Sequence, residues 1–518
     1  MVYSIRNEQA QLRANLAQMM ANGKLMHVGY ILAHAAATYP HNVALVSDHT
    51  TLTFQQLYCR AVAFSQVLLQ HGVAPDQKVL IFFENSIEFY IAYYAVVQIG
   101  AVVVPLNTYL HDRELYHIMR DANPSLLITA LAHKDRLGAA IPVTVLTQDD
   151  MPSDSTEENM HTFSIPDRDP DILAVLLYTS GTTGMPKGVM LSSRNIMTNI
   201  AQTLACFSPQ AGDRVFAILP LFHSFSQNVC VWLAIFVGCT VIVVPHIDRR
   251  NILAYMKYKP TLFIGVPALY GLLCMLRTVP VDSVRLFVSG GDALPDRIRA
   301  SFLLLYGRRI AVGYGLTEAS PVVAAELEDQ ALPMGTIGRP MPGLSTEIQD
   351  EHGEQVAQGE VGELVIKGDN VMLGYYNSPD VTASVLKDGW LKTGDLGYID
   401  SCGRIILTGR LKDLIIHKGF NIYPQEIENI IAGHANVMRV AVVGQKDEQT
   451  GEVPMAYVQL KQDEPGIEKT LQKLCQQNFA AYKIPREFFC STEPLPTTAM
   501  GKVDKKQLKK MHTNMHVS

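Results

Sequence analysis

Residues 171–196 read DILAVLLYTSGTTGMPKGVMLSSRNI. The run LAVLL is the composition of a buried strand. It feeds the string Tyr178–Gly188, YTSGTTGMPKG. There Gly181, Gly184 and Gly188 stand with four hydroxyl residues, Thr179, Ser180, Thr182 and Thr183, around a single lysine, Lys187. Such a backbone can turn tightly and aim N–H and O–H donors at one anion. Lys187 adds a point charge for phosphate oxygens. The string is not the GxxxxGK[ST] phosphate loop, because Pro186 precedes the lysine and Gly188 follows it.

Outward from this loop, short apolar runs alternate with helical stretches. KVLIFF (78–83), AVVVPL (101–106), SLLIT (125–129), DRVFAILP (213–220), TVIVVP (240–245), TLFIGVP (261–267) and VRLFVSGG (284–291) read as strands, and SIEFYIAYYAVVQIG (86–100) as a helix. Continuous β-branched runs separated by helices predict parallel strands covered on both faces. From about residue 335 the texture changes to short strands between Gly and Pro turns, as in a small antiparallel barrel or sheet. After Arg410 a compact α+β unit begins. The expected organisation is a large N-terminal domain, residues 1–410, and a small mobile C-terminal domain, residues 411–518. The second carries 14 Lys+Arg and 12 Asp+Glu, and the first 29 and 37, so their net signs are complementary.

The chain has 518 residues, 48% apolar and 18% charged, with a net charge of −6. That excludes a disordered chain and gives no gross nucleic-acid signature. None of the eight cysteines is spaced CxxC, so neither a zinc site nor a disulfide framework is indicated, and reduced cytoplasmic thiols are expected. MVYSIRNEQAQLRANLAQMM (1–20) lacks the apolar core of a secretion signal and reads as a polar helix. The uncharged run Gln227 to Pro245 is broken by Gly238 and reads as a buried helix, a turn and a strand rather than a membrane span.

Further strings follow in order: LPLFHSFS (219–226), GYGLTEAS (313–320), GELVIKGDNVMLGYYN (362–377), WLKTGDLGYID (390–400), GRLKDLIIHKGFNIYPQEIE (409–428) and LPTTAMGKVDKKQL (495–508). Together with the glycine-rich loop they resemble the signatures of the adenylate-forming superfamily. The resemblance spans about residues 30–508, and the texture is most similar to bacterial fatty acyl-CoA synthetases. It implies a two-step reaction using ATP, Mg²⁺ and coenzyme A. A carboxylate attacks the α-phosphate and pyrophosphate leaves; a thiol then attacks the acyl carbonyl and AMP leaves. A carboxylic acid is already ionised at neutral pH, so the first step needs positioning and charge neutralisation rather than a base.

Site roles follow from the same resemblance. Thr179 through Gly184 and Lys187 would hold phosphates. Gly313, Tyr314 and Gly315 would frame the adenine, Tyr314 by stacking, and Thr317 would touch the α-phosphate. Glu318 would bind Mg²⁺. Asp395 would take the ribose hydroxyls, and Arg410 the ribose or phosphate. Val312 replaces a polar residue common in relatives, so any adenine contact there falls to the backbone. Lys412 matches the hinge between domains, Lys418 and Gly419 the pantetheine side, and Lys502 the lysine that meets carboxylate and α-phosphate during adenylation. His223 would gate the acyl pocket near the carboxylate, polarising the carboxylate or orienting the carbonyl, although a lone histidine in an apolar stretch is more often a packing residue.

The acyl pocket is expected among Phe225, Val266, Gly290 and Gly291, the glycines leaving room for a chain. No Asp follows Phe222 to pair with a substrate ammonium, which disfavours amino acids. A fatty acid is the first expectation and an aryl acid the second, with a carrier-protein thiol as the alternative acceptor. Peripheral contact with a membrane and a homodimer both stay open.

Overall fold

The structure is a computed structural model that describes residues 27–48, 50–138, 143–153, 163–180, 185–326, 335–418, 420–447, 450–497 and 503–515. The expected N-terminal helix, most of the glycine-rich loop, Gly419 and Lys502 lie outside the described residues.

Two sheets carry the first 410 residues. The smaller has seven strands. Val102–Pro105, Lys78–Phe82, Leu126–Thr129 and Thr144–Thr147 run parallel, and Leu173–Ser180 joins them in the same sense. Pro186–Ser192 then returns antiparallel to Leu173–Ser180, and Gly374–Tyr375 pairs antiparallel beyond it. The glycine-rich string is therefore the end of a hairpin. Its flanks are strand, with Thr179 opposite Lys187 and Ser180 opposite Pro186.

The larger sheet has a parallel half built from Val43–Val46, Thr240–Val243, Arg214–Ala217, Leu262–Gly265, Leu286–Ser289 and Ile310–Gly315. An antiparallel half continues it through Val322–Glu326, Thr336–Pro340, Ile405–Arg410, Trp390–Ile399, Gly362–Lys367 and Ser345–Gln349. The Gly- and Pro-punctuated strands after residue 335 thus extend the main sheet. Gly338 shows why glycine is needed at that junction: its φ is +93°, and a Cβ would run into the Ala325 backbone.

The layers follow from which faces are apolar. One core lies between the two sheets, around the helix Ile87–Gln98, which is buried on every side. Helices Pro267–Leu276 and Asp296–Tyr306 cover the outer face of the large sheet, and Asp112–Ala122 covers the outer face of the small one. The uncharged run resolves as expected into helix, turn and strand. Gln227–Leu233 is wound as a π-helix, Ala234–Val237 returns to α, Gly238 takes φ +83°, and Thr240–Val243 enters the sheet. The wider π-turn frees carbonyls. Tyr94 donates to the Val231 carbonyl and Tyr90 to that of Cys230 at 3.4 Å. No helix among the described residues is long and apolar enough to cross a membrane.

A third, separate sheet follows Arg410. Ile415–His417, Phe420–Ile422, Val437–Asp447 and Gly451–Leu460 pair antiparallel, with Glu487–Ser491 parallel at the edge. It has its own core, backed by helices Pro424–Ala432 and Ile467–Asn478. Arg297, on the large part, donates to the Val437 carbonyl at 3.0 Å.

Candidate active site

Two clusters form where strand ends of the two large sheets meet. The first joins Tyr314, Asp395 and Arg410. Asp395 sits in the strand Trp390–Ile399, and its backbone pairs with Arg410, the last residue of Ile405–Arg410. Tyr314 donates its phenol proton to Asp395 Oδ2 at 2.5 Å, and Arg410 Nε lies 3.0 Å from Oδ1. Asp395 is 4% exposed. Desolvation and this carboxylate push the Tyr314 phenol well above its usual value, and Asp395 holds the Arg410 guanidinium up. Gly315, at the end of the same strand as Tyr314, lies so close to the Pro321 carbonyl that no side chain fits.

The second cluster gathers Lys187, Tyr375, Glu318, Thr317 and Ser224. Thr317 and Glu318 lie in the 3₁₀ turn Thr317–Ala319. Tyr375 donates to Glu318 Oε1 at 2.8 Å, and Lys187 Nζ stands 5.7 Å from the centre of the same ring. Tyr375 pairs with Val189 in the strand that follows the glycine-rich loop, so one short strand brings the lysine and the acid together. Burial, then Glu318, push the Tyr375 phenol up, keeping it a donor. Thr317 Oγ1 and Ser224 Oγ share a hydrogen bond at 3.0 Å. Asn370 donates to the Ala319 carbonyl, and Met372 N to that of Glu318, both at 2.9 Å.

The remaining candidates are placed as follows. His223 caps the short helix Ser224–Ser226, its Nδ1 accepting from Phe225 N at 3.3 Å. Asn85 ties the approach to it, accepting from Leu221 N and donating to the Ala217, Leu219 and Val244 carbonyls. Phe225 lies against Gly290: a Cβ there would stand 3.0 Å from the ring and 3.2 Å from the Gly313 carbonyl. The room expected at Gly290 is therefore taken by Phe225. Gly291 takes φ +79°, and a Cβ there would stand 3.6 Å from Val266, an ordinary contact distance. Lys412 lies in the turn Leu411–Asp413, directly after Arg410. Lys418 takes φ +51° and donates its N–H to the Thr450 carbonyl. Thr179 ends its strand beside Lys187; Gly181, Thr182, Thr183 and Gly184, like Gly419 and Lys502, lie outside the described residues.

Tyr375 and Ser224 were not picked out from sequence. Tyr375 stands in the quoted string GELVIKGDNVMLGYYN, and two adjacent tyrosines after a glycine were the available signal.

The donor sets differ in chemistry. A buried carboxylate held by a phenol and a guanidinium suits a vicinal diol. A lysine and an acid joined through one ring suit a phosphate chain with its cation. Among the described residues no cluster of three or more His, Cys, Asp or Glu side chains could cage a metal. A cation at Glu318 would need phosphate or water oxygens to complete its shell, which is how magnesium is bound. The hard oxygen donors of Glu318 fit that ion.

Comparison with known proteins identifies the family. The model for the AMP-binding enzyme family matches residues 32–376, and that for the AMP-binding enzyme C-terminal domain matches residues 426–502. The chain belongs to the AMP-binding enzyme family. It is 34% identical to a long-chain-fatty-acid–CoA ligase of Bacillus subtilis, over 94% of each chain. It is 33% identical to a feruloyl-CoA synthase of Amycolatopsis, over 91% of this chain and 96% of the other. The crystal structure of ATP-bound MatB from Rhodopseudomonas palustris superposes with a TM-score of 0.85 at 29% identity, covering 94% of this chain and 99% of that one. Adenylate-forming acid–CoA ligase chemistry is the activity that this membership and these relatives support.

Proposed function

We propose that the chain activates a medium- or long-chain fatty acid as its acyl adenylate and passes the acyl group to coenzyme A. One observation carries the choice of acid: Phe225 packs into an apolar core with Val229 and Val288, and no charged residue stands among Ser224, Phe225, Ser226 and Gln227. A pocket walled this way repays apolar surface and gives no partner to a substrate ammonium.

The roles follow the two clusters. In the first step an acid oxygen bonds to the α-phosphorus of ATP, and the bond to the bridging oxygen breaks, releasing pyrophosphate. Asp395 accepts from the ribose hydroxyls, with Arg410 and Tyr314 fixing its two oxygens. Lys187 and the loop Thr179–Gly184 neutralise phosphate oxygens, Thr317 donates toward the α-phosphate, and Lys502 meets the acid. Glu318 holds Mg²⁺, which supplies charge neutralisation of the phosphates when bound. His223 orients the acid at the mouth of its pocket. In the second step the thiol sulfur bonds to the acyl carbon, the bond to AMP breaks, and the thiol proton leaves. The small unit beyond Arg410 turns about Lys412 between the steps and brings the segment around Lys418 and Gly419 to the thiol. A cytoplasmic setting belongs to the same reading.

The acid series tests it. Each added methylene contributes about 0.8 kcal/mol on burial. From four carbons upward, kcat/KM should therefore climb by about a few-fold per CH₂ until the pocket ends. Phenylalanine should be near background. An aryl acid is the second reading, favoured by the feruloyl-CoA synthase relative and by the Phe225 ring that fills the space beside Gly290. A maximum at ferulate or coumarate, with no rise along the fatty series, would establish it in place of the first. AMP release that needs a carrier protein instead of free CoA would reassign the acceptor.

Tyr375 gives a sharper test of the second cluster. Its phenol donates to Glu318 while its ring stands beside Lys187, so Tyr375→Phe should lose one charge-assisted hydrogen bond, about 1.5–3 kcal/mol. The expected result is a roughly tenfold rise in the Mg²⁺ concentration needed for half-maximal ATP binding, read by calorimetry in the absence of acid. An unchanged Mg²⁺ dependence would remove Tyr375 from the site.

A further inference from the structure

The helices Pro267–Leu276 and Asp296–Tyr306 lie side by side on the outer face of the large sheet, away from both clusters. Tyr306 donates to the Leu273 carbonyl at 2.7 Å, which draws their C-terminal ends together. Phe302 points inward and is fully buried, its ring edge-on to Tyr270 and Phe287. Each helical residue turns by about 100°. Two steps beyond Phe302, Leu304 therefore faces straight out, and it is 86% exposed. Leu303 and Leu305 flank it at 40% and 41%, and Met275 on the neighbouring helix is 65% exposed. A cluster of large apolar side chains open to water is not what a folded surface keeps without use.

The rim of this tip is cationic. Arg277 ends the first helix, and Arg308 and Arg309 follow the second; all three are exposed. Arg308 Nη2 reaches the Asp282 carbonyl at 3.4 Å, which holds it at the edge of the tip. From His246 to Arg309 the sequence has ten Lys or Arg against four Asp or Glu, on a chain whose net charge is −6. Of these, Lys257 pairs with Asp48, Arg285 with Asp213 and Arg299 with Asp296, and Arg297 reaches the Val437 carbonyl, whereas Arg277, Arg308 and Arg309 are the cations that stand beside the exposed leucines.

We propose that this tip docks on the anionic surface of a lipid bilayer. Leu304 and Met275 enter the boundary between headgroups and acyl chains, and the arginines meet lipid phosphates. A second copy of the chain fits less well. A two-fold contact would set this patch against itself and bring arginines face to face. The proposal stands apart from the choice of acid, since it uses no residue of either cluster.

The test uses the full chain and sedimentation with two kinds of vesicle. One is phosphatidylcholine mixed with an equal part of phosphatidylglycerol, and the other is phosphatidylcholine alone. The wild type should pellet with the first and much less with the second. Leu304→Asp should weaken partitioning about tenfold or more, the loss of one buried leucine. Arg308→Gln with Arg309→Gln should weaken it roughly twentyfold, since each arginine near an anionic surface contributes about fivefold. Both variants change exposed residues far from the clusters, so pyrophosphate release with a short, soluble acid should match wild type and report that they are folded. Wild type remaining in the supernatant with both vesicles would overturn the proposal. So would variants that pellet like wild type. A wild-type dimer that Leu304→Asp makes monomeric, with sedimentation unchanged, would give the tip to a second copy instead.

Discussion

Asparagine at position 395 is expected to lower kcat/KM for ATP by about two orders of magnitude without unfolding the chain. Asp395 is buried, and each of its carboxylate oxygens is held, one by Tyr314 and one by Arg410. The amide keeps the shape but loses the charge and turns one acceptor oxygen into a donor NH₂, so Arg410 faces a neutral group and the ribose loses a charged acceptor. Breaking a buried pair costs about 3–5 kcal/mol. Arg410 is half exposed and can turn to water, which places the effect near the lower end, about two powers of ten in rate. Pyrophosphate release against ATP concentration measures it, with thermal melting as the control for folding. A value within about threefold of wild type would remove the ribose role from Asp395.

Alanine at position 502 is expected to separate the two half-reactions. Lys502 lies outside the described residues, but its flanks are fixed. Thr497 and Val503 form an antiparallel bridge, and Asp504 N donates to the Pro496 carbonyl at 2.8 Å. A lysine on a segment anchored at both ends can be delivered to the reacting carboxylate and phosphate as a unit. Removing one preorganised cation from a phosphoryl-transfer site costs about a thousandfold. Acyl-adenylate formation should fall by that factor, while thioester formation from supplied acyl-AMP stays within a few-fold of wild type. Equal losses in both halves would show that Lys502 acts through the fold or through both steps.

What was legible in the sequence is what lies close together in it. The buried runs became strands, the break at Gly238 became a left-handed turn, and the strings carrying Asp395 and Arg410 became neighbouring strands of one sheet. Those features depend on local apolar pattern and on glycine's freedom at positive φ. Pairings between distant strings were not legible. Nothing local to Gly374–Tyr375 says that it adds to the hairpin carrying Lys187, so the ring between Lys187 and Glu318 stayed hidden. Likewise the strands after residue 335 look like a small barrel by their turns. Only the pairing of Val322–Glu326 with Thr336–Pro340 shows that they prolong the main sheet. Gly290 misled for the opposite reason: a glycine suggests space, but the space belongs to whichever side chain arrives, and here it is Phe225.

The π-helix behind Phe225 has an evolutionary consequence. A π-turn is an α-helix carrying one spare residue. Deleting one residue within Gln227–Leu233 would let the segment close up as ordinary helix and rotate everything before it, Phe225 and His223 included, relative to the strand Thr240–Val243. The hydroxyls of Tyr90 and Tyr94, now answered by carbonyls that the wide turn exposes, would lose their acceptors in the same event. The wall proposed for the acid site is therefore quantised. Point substitutions adjust its chemistry by degrees, whereas a change in its outline comes as a single-codon insertion or deletion accompanied by repair at the tyrosines.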